Sequence, residues 1–156
     1  MTVNFTVPGP PRGKERPRFK RVGKFTTTYT PEKTVEYEEK VKVAYNKDNR
    51  GEFLIGPLIV DIEGVFPIPK SVSKKRREEL IGEPHMKKPD CDNVAKIILD
   101  PLNNLAYHDD GQVAKLAVAK VYGENPEVRV SISEMDIRLE SDNPNCPIYY
   151  IKKREV

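Results

Sequence analysis

The hydrophobic positions of this chain follow two rhythms. Residues 2–7 (TVNFTV) alternate Val3, Phe5 and Val7 with polar neighbours, which predicts a half-buried strand. Residues 58–66 (LIVDIEGVF) repeat the pattern. Leu58, Val60 and Ile62 fall on one side and Ile59, Asp61 and Glu63 on the other, with Pro67 and Pro69 stopping the strand. Residues 113–123 and 128–135 read as two further strands, and GENPE between them predicts a hairpin-type turn. The helical rhythm occupies the middle. Thr30 is the expected N-cap of a helix with Pro31 at its first position, running to about Asn49 with Val35, Val41 and Tyr45 in its buried stripe. SKKRREELIG predicts a short basic helix capped by Ser73 and ended by Gly82. After a loop over 83–89, another helix is expected near Asp92, with Val94, Ile98, Leu102 and Leu105 on one face. Pro101 should kink or end it. PGPPRGKERPRF (8–19) is read as a loop that holds Lys14, Arg16 and Arg18 in extended backbone. Strands early and late with helices between predict an α+β (mixed α/β) fold: a single domain over residues 1–136, with a peripheral tail at 137–156.

Composition narrows the class. With 156 residues, 37% hydrophobic and 33% charged, the chain suits one highly charged domain with a real core. No run approaches the ~18–20 apolar residues of a membrane span. MTVNFTVPGP has neither the charged start nor the apolar core of a signal peptide, so a cytoplasmic location is expected. Cys91 and Cys146 lack metal-ligand spacing.

The net charge of +3 conceals an asymmetry. Residues 12–24 carry seven basic groups and one acidic, and residues 70–88 carry seven basic and three acidic. Either these are two solvated basic surfaces or they face a polyanion. On the second reading Lys14, Arg16, Arg18, Lys74, Lys75, Arg76, Arg77, Lys87 and Lys88 are the candidate contacts to that polyanion.

Against this basic background, residues 88–113 hold five aspartates beside a core-forming segment: Asp90, Asp92, Asp100, Asp109 and Asp110. Asp90 and Asp92 flank Cys91, and on extended backbone residues two apart point the same way. Two readings compete. Asp92 can cap the following helix, with both charges favoured by the helix dipole. Alternatively, the carboxylates hold a hard divalent cation, which takes oxygen ligands. Lys96, four residues after Asp92, lies on nearly the same helical face. It makes either an ordinary ion pair or a cation beside a reacting phosphate. Asn93 can bind phosphate or close the turn. Asp100 and Asn103 extend the polar edge, and Glu63 is a weaker acidic candidate. His108 beside Asp109 has no nucleophile in a recognisable pattern, which argues against a histidine-based triad. Cys91 is expected to be a small buried filler pointing away from both carboxylates.

Three blocks, D-C-D-N-V-A-K, L-D-P-L-N and D-D-G-Q-V, resemble the RusA family of Holliday-junction resolvases, which are common on phages and prophages. The family pattern is D-x-D-N-x-x-K followed by D-D-x-Q-V. PGPPRGKERPRF and YTPEKT are similar to its phage-type members, and the resemblance runs from about residue 3 to 135. It implies a mixed sheet flanked by helices, a homodimer, Mg²⁺ or Mn²⁺, and paired nicking of four-way DNA junctions in recombination and repair. By position it places catalytic carboxylates, which are also metal ligands, on Asp90, Asp92 and Asp110, with Asp109 as a possible further ligand and the essential lysine on Lys96. Pro101 departs from the family, where a helix-compatible residue is usual. The rival readings are a non-catalytic DNA-binding protein with a structural acidic cluster and a Mg²⁺-dependent hydrolase of nucleotides.

Overall fold

Val3, Phe5 and Val7 turn to the same side as Leu58, Val60 and Ile62, and that shared apolar side organises the sheet. The structure, a computed structural model, describes residues 1–135. The expected tail at 137–156 and Cys146 lie outside the described residues. Nine main elements follow one another: β1 (Thr2–Pro8), β2 (Arg18–Val22), β3 (Phe25–Tyr29), α1 (Glu32–Asn49), β4 (Leu58–Pro67), α2 (Lys74–Leu80), α3 (Cys91–Leu99), β5 (Val113–Gly123) and β6 (Glu127–Glu134). The expected mixed α+β fold is what forms. A four-stranded sheet has the order β1-β6-β4-β5, and β2 and β3 make a separate antiparallel ribbon. β4 and β5 are parallel, while β6 is antiparallel to both β4 and β1.

α1 and α3 cover one face of the sheet. Tyr37, Val41 and Tyr45 of α1 and Val94, Ile97 and Ile98 of α3 join the strand residues in one core. Phe5 meets Tyr45 edge to face, with ring centroids 5.5 Å apart. Burying each such side chain contributes roughly 1.5–3 kcal/mol. The opposite face carries Asp61, Ala117, Ala119 and Arg129, all exposed.

Several local expectations change. α1 begins at Glu32; Pro31, rather than Thr30, occupies the cap position, and no side chain caps the helix. Val35 is exposed because it lies about 200° around the helix from Tyr37, outside the buried arc. Ser73 does cap α2, its Oγ accepting from the Arg76 N–H at 3.2 Å. α3 starts one residue early, at Cys91, and gives way after Leu99 to a 3₁₀ turn over Asp100–Leu102 that contains Pro101. Leu105 therefore packs from the loop beyond, half-buried. Residues 18 and 19, expected in a loop, belong to β2.

The largest correction concerns the predicted β5–β6 hairpin. These strands are not neighbours, because β4 lies between them. The three-residue link Glu124–Pro126 passes over the end of β4, whose interior position on the sheet buries Val60, Ile62 and Phe66. Gly123 allows the passage. A Cβ there would stand 2.5 Å from Val65 Cγ1, inside any real contact distance. Gly123→Ala is therefore expected to destabilise the protein by about 1–3 kcal/mol through overpacking, read as a lower midpoint in urea unfolding with an unchanged slope.

Candidate active site

The site is assembled around α3. Its apolar face is buried, so the N-terminal turn must emerge at the edge of the core. Asp90 stands at the N-cap with extended backbone (φ −70°, ψ 156°), and its carbonyl accepts from the Val94 N–H at 3.1 Å. Its carboxylate caps nothing. Asp92 occupies the first turn, so the pair is not spaced along extended chain as expected. Both are exposed, as is Lys96. Among the described residues, no ion pair engages Asp90, Asp92, Asp110 or Lys96, and the ordinary Asp92–Lys96 pair does not form. Cys91 is exposed rather than buried, with its Sγ 3.8 Å from the Val118 carbonyl.

Two lysines hold this corner in place: Lys120, which no motif marked, and Lys14 of the basic 12–24 segment. Lys120 on β5 donates to the carbonyls of Lys87 at 2.6 Å and Pro89 at 2.7 Å, clasping the segment that presents Asp90. Its position was legible. It continues the alternation of Val118 and Tyr122, an inward place where a lysine needs acceptors. Lys14 is half-buried and paired with Glu38 and, at 2.9 Å, with Asp100. Burial alone would lower its pKa, but the hydrogen bonds and charges of Glu38 and Asp100 outweigh it and hold the ammonium above its usual value. Its charge is thus committed inside the protein. The Lys14 N–H also donates to the Asn93 carbonyl at 3.0 Å. A Cβ on the adjacent Gly13 would lie 2.6 Å from Pro89 Cβ, so the 12–17 loop is pressed onto the start of α3.

The second acidic group sits elsewhere. Asp109 caps the 3₁₀ turn Asp110–Gln112, its Oδ2 accepting from the Gly111 N–H at 3.1 Å, while the Gln112 side chain accepts from the His108 and Asp109 N–H groups. Asn103 Oδ1 accepts from the Asp110 N–H at 2.8 Å. Nearby, Tyr107 is buried and donates to the Leu99 carbonyl at 2.8 Å. Burial first, and then the charges of Asp110, Asp100 and Asp109, push its phenol far above the usual range.

Asp90 and Asp92 are therefore distant from Asp110 within one chain. α3 rises about 12 Å between Asp92 and Asp100. Along β5, the Asp90 segment lies beside Val118 and Lys120, whereas Asp110 precedes the strand's first residue. That separation is roughly 20 Å of strand. Accordingly, no three His, Cys, Asp or Glu side chains are arranged to hold a metal among the described residues. Glu63 is farther from consideration still, on the uncovered sheet face and paired with Arg129 at 3.0 Å. Of the basic candidates, Arg16, Lys74, Lys75, Lys87 and Lys88 are exposed. Arg18 and Arg76 are exposed but pair with Glu15 and Glu79, and Arg77 is half-buried.

Two carboxylates and an ammonium without ion-pair partners among the described residues thus stand at the start of one short helix, preceded in the chain by the exposed Lys87 and Lys88. The sequence profile described as Endodeoxyribonuclease RusA matches residues 8–133, and the chain belongs to that family. A protein of Bacillus subtilis (strain 168) named as the uncharacterized protein YqaN is 36% identical over 138 residues, covering 85% of this chain and 96% of that one. The family is one of endonucleases that act on junction DNA.

His85 reports on the integrity of this corner. Its ring stacks on Phe66 at 3.8 Å and meets Tyr122 edge on, and its N–H donates to the Lys120 carbonyl. Burial first, and then the charges of Lys120 and Lys87, lower its pKa below the usual 6.5. A depressed histidine contributes stability that is present above its unfolded pKa and is lost as pH falls from about 6.5 toward the folded value. Chemical denaturation at steps between pH 7.5 and 5.5 should show stability falling in the wild type and a shallower fall in His85→Gln. Parallel slopes would remove His85 as the cause.

Proposed function

We propose that this protein is a divalent-cation-dependent endonuclease of the cytoplasm that resolves four-way DNA junctions by paired nicking, working as a homodimer in recombination and repair. The observation that carries this reading is the contrast within the acidic segment. Among the described residues Asp90, Asp92, Asp110 and Lys96 make no ion pair, while Asp100 is spent on Lys14 and Asp109, although it matches the same family pattern, on a turn. Asp90 and Asp92 suit Mg²⁺ or Mn²⁺ as hard oxygen donors, since Mg²⁺ is commonly held by one or two carboxylates together with water and substrate phosphate. Such an ion, when bound, would acidify a water molecule and draw charge from the scissile phosphate. Asp90 and Asp92 would fix its place at the mouth of α3. Lys96, one turn farther on, would offset negative charge that builds on the phosphate in the transition state. The exposed cations of 70–88, together with Arg16 and Arg18, would contact backbone phosphates, giving affinity and orientation.

The same geometry supports a dimer. Asp110 and the Asp90–Asp92 pair lie toward opposite ends of α3 in one chain, so a two-fold partner lying alongside would bring unlike ends together. Each of two sites would then draw Asp92 from one copy and Asp110 from the other, facing the two opposed strands of a junction.

Subunit mixing tests this directly. Asp92→Asn and Asp110→Asn should each abolish junction cleavage while binding is kept, because the amide removes charge without adding bulk. Mixing the two inactive proteins should restore nicking, since a mixed dimer contains one intact site. No restoration despite verified exchange would show that the sites are not shared. Wild-type-like cleavage by either variant would take that residue out of the chemistry.

Lys96→Ala separates two roles. An exposed ion pair would cost about half a kcal/mol and leave the rate nearly intact. Loss of transition-state stabilisation costs on the order of 3 kcal/mol, about a hundredfold in rate. Single-turnover cleavage of a junction at saturating protein across a Mg²⁺ titration is expected to show the larger deficit at every concentration. A deficit that vanishes at high Mg²⁺ would make Lys96 an organiser of the carboxylates instead.

A further inference from the structure

The β2–β3 ribbon has no interior. All ten strand residues are exposed, and among them are large apolar side chains: Phe19 at 76%, Phe25 at 78%, Val22 at 55% and Tyr29 at 46% exposure. The register places Phe19 and Arg21 on one face, and Arg18, Lys20, Val22, Phe25 and Tyr29 on the other. Both faces therefore present an aromatic ring beside a cation. An isolated two-stranded hairpin is marginally stable in water, and nothing in the core needs these rings. Between residues 18 and 29 stand four basic groups and no acidic one, so the charge selects a polyanion. Aromatic rings set among cations are the means by which proteins hold unstacked bases while tracking a phosphate backbone. Intact duplex hides its base faces, whereas a branch point exposes them.

The ribbon's root is fixed beside the candidate active site. Gly13 packs on Pro89, and the Lys14 N–H is bonded to the Asn93 carbonyl within the Asp90–Lys96 motif. Arg18 begins β2 four residues later, which is at most about 14 Å of chain. We infer that the β2–β3 ribbon is a base-stacking finger that recognises the branch point of the DNA, with Phe19 and Phe25 stacking on bases unpaired at the crossover and Arg18, Lys20, Arg21 and Lys24 holding the flanking phosphates. This rests on the proposed function and adds the means by which branched DNA is told from linear DNA.

The test uses a synthetic four-way junction carrying 2-aminopurine at the branch and a linear duplex of the same sequence, both in EDTA so that no strand is cut. In Phe19→Ala/Phe25→Ala, junction affinity should fall about tenfold, on the scale of a lost base–aromatic stack. The fluorescence change at the branch should disappear while duplex binding changes little. Phe25→Trp, which keeps a stacking ring, should retain both signals. Because these residues are exposed, the circular dichroism and melting of the double variant should match the wild type. Unchanged junction affinity and fluorescence in the double variant would overturn the inference and assign the ribbon to a protein contact. An equal loss on junction and duplex would also overturn it, leaving a groove-filling ribbon with no role in recognising branches. Where the wild type cleaves junctions, either of those outcomes in the double variant sinks the finger alone. A wild type that binds no branched DNA sinks the proposed function and the finger together.

Discussion

Burial of the apolar face of α3 beneath the sheet is the constraint on which the site depends. Val94, Ile97 and Ile98 are held among Val60, Ile62 and the α1 residues, so neither the helix's direction nor its height above β5 is free. Once that face is fixed, Asp90 and Asp92 must stand at one rim of the core and Asp100 at the other. The Lys120 clasp and the Lys14 bridge then secure the two ends. Like charges close in sequence are kept apart or compensated: Lys14 answers Asp100, a turn's N–H groups answer Asp109, and the remainder face solvent.

The parts of the fold that were legible in the sequence are those with a strong period or a specific cap. β1 and β4 alternate cleanly, Ser73 caps α2, and Pro101 ends α3. What was not legible depends on contacts between elements far apart in the chain. β4's place between β5 and β6 is set by which strands share the core, while GENPE carries only a local signal of reversal. The β2–β3 ribbon escaped notice because the prolines and glycines of 8–17 run directly into it, and neither RFKRV nor FTTTY alternates cleanly between apolar and polar residues.

For the candidate site, the sequence motif named a set of residues but implied a single cluster. Spacing along a chain cannot show that a short helix and a long strand carry two halves of a motif to opposite ends. Nor could charge counts alone separate cations that are free from those already used. Lys14 stands in the most basic stretch of the chain yet is half-buried between two carboxylates, whereas Arg16, two residues later, is exposed.

The exposure of every strand residue in the ribbon also has an evolutionary side. Substitutions in the core are judged first by whether the protein still folds, which narrows what can be sampled. Substitutions at Phe19, Lys20 or Thr27 touch no buried neighbour and escape that filter. The chain thus pairs a core that folding constrains tightly with a ribbon whose exposed side chains are largely free of that constraint.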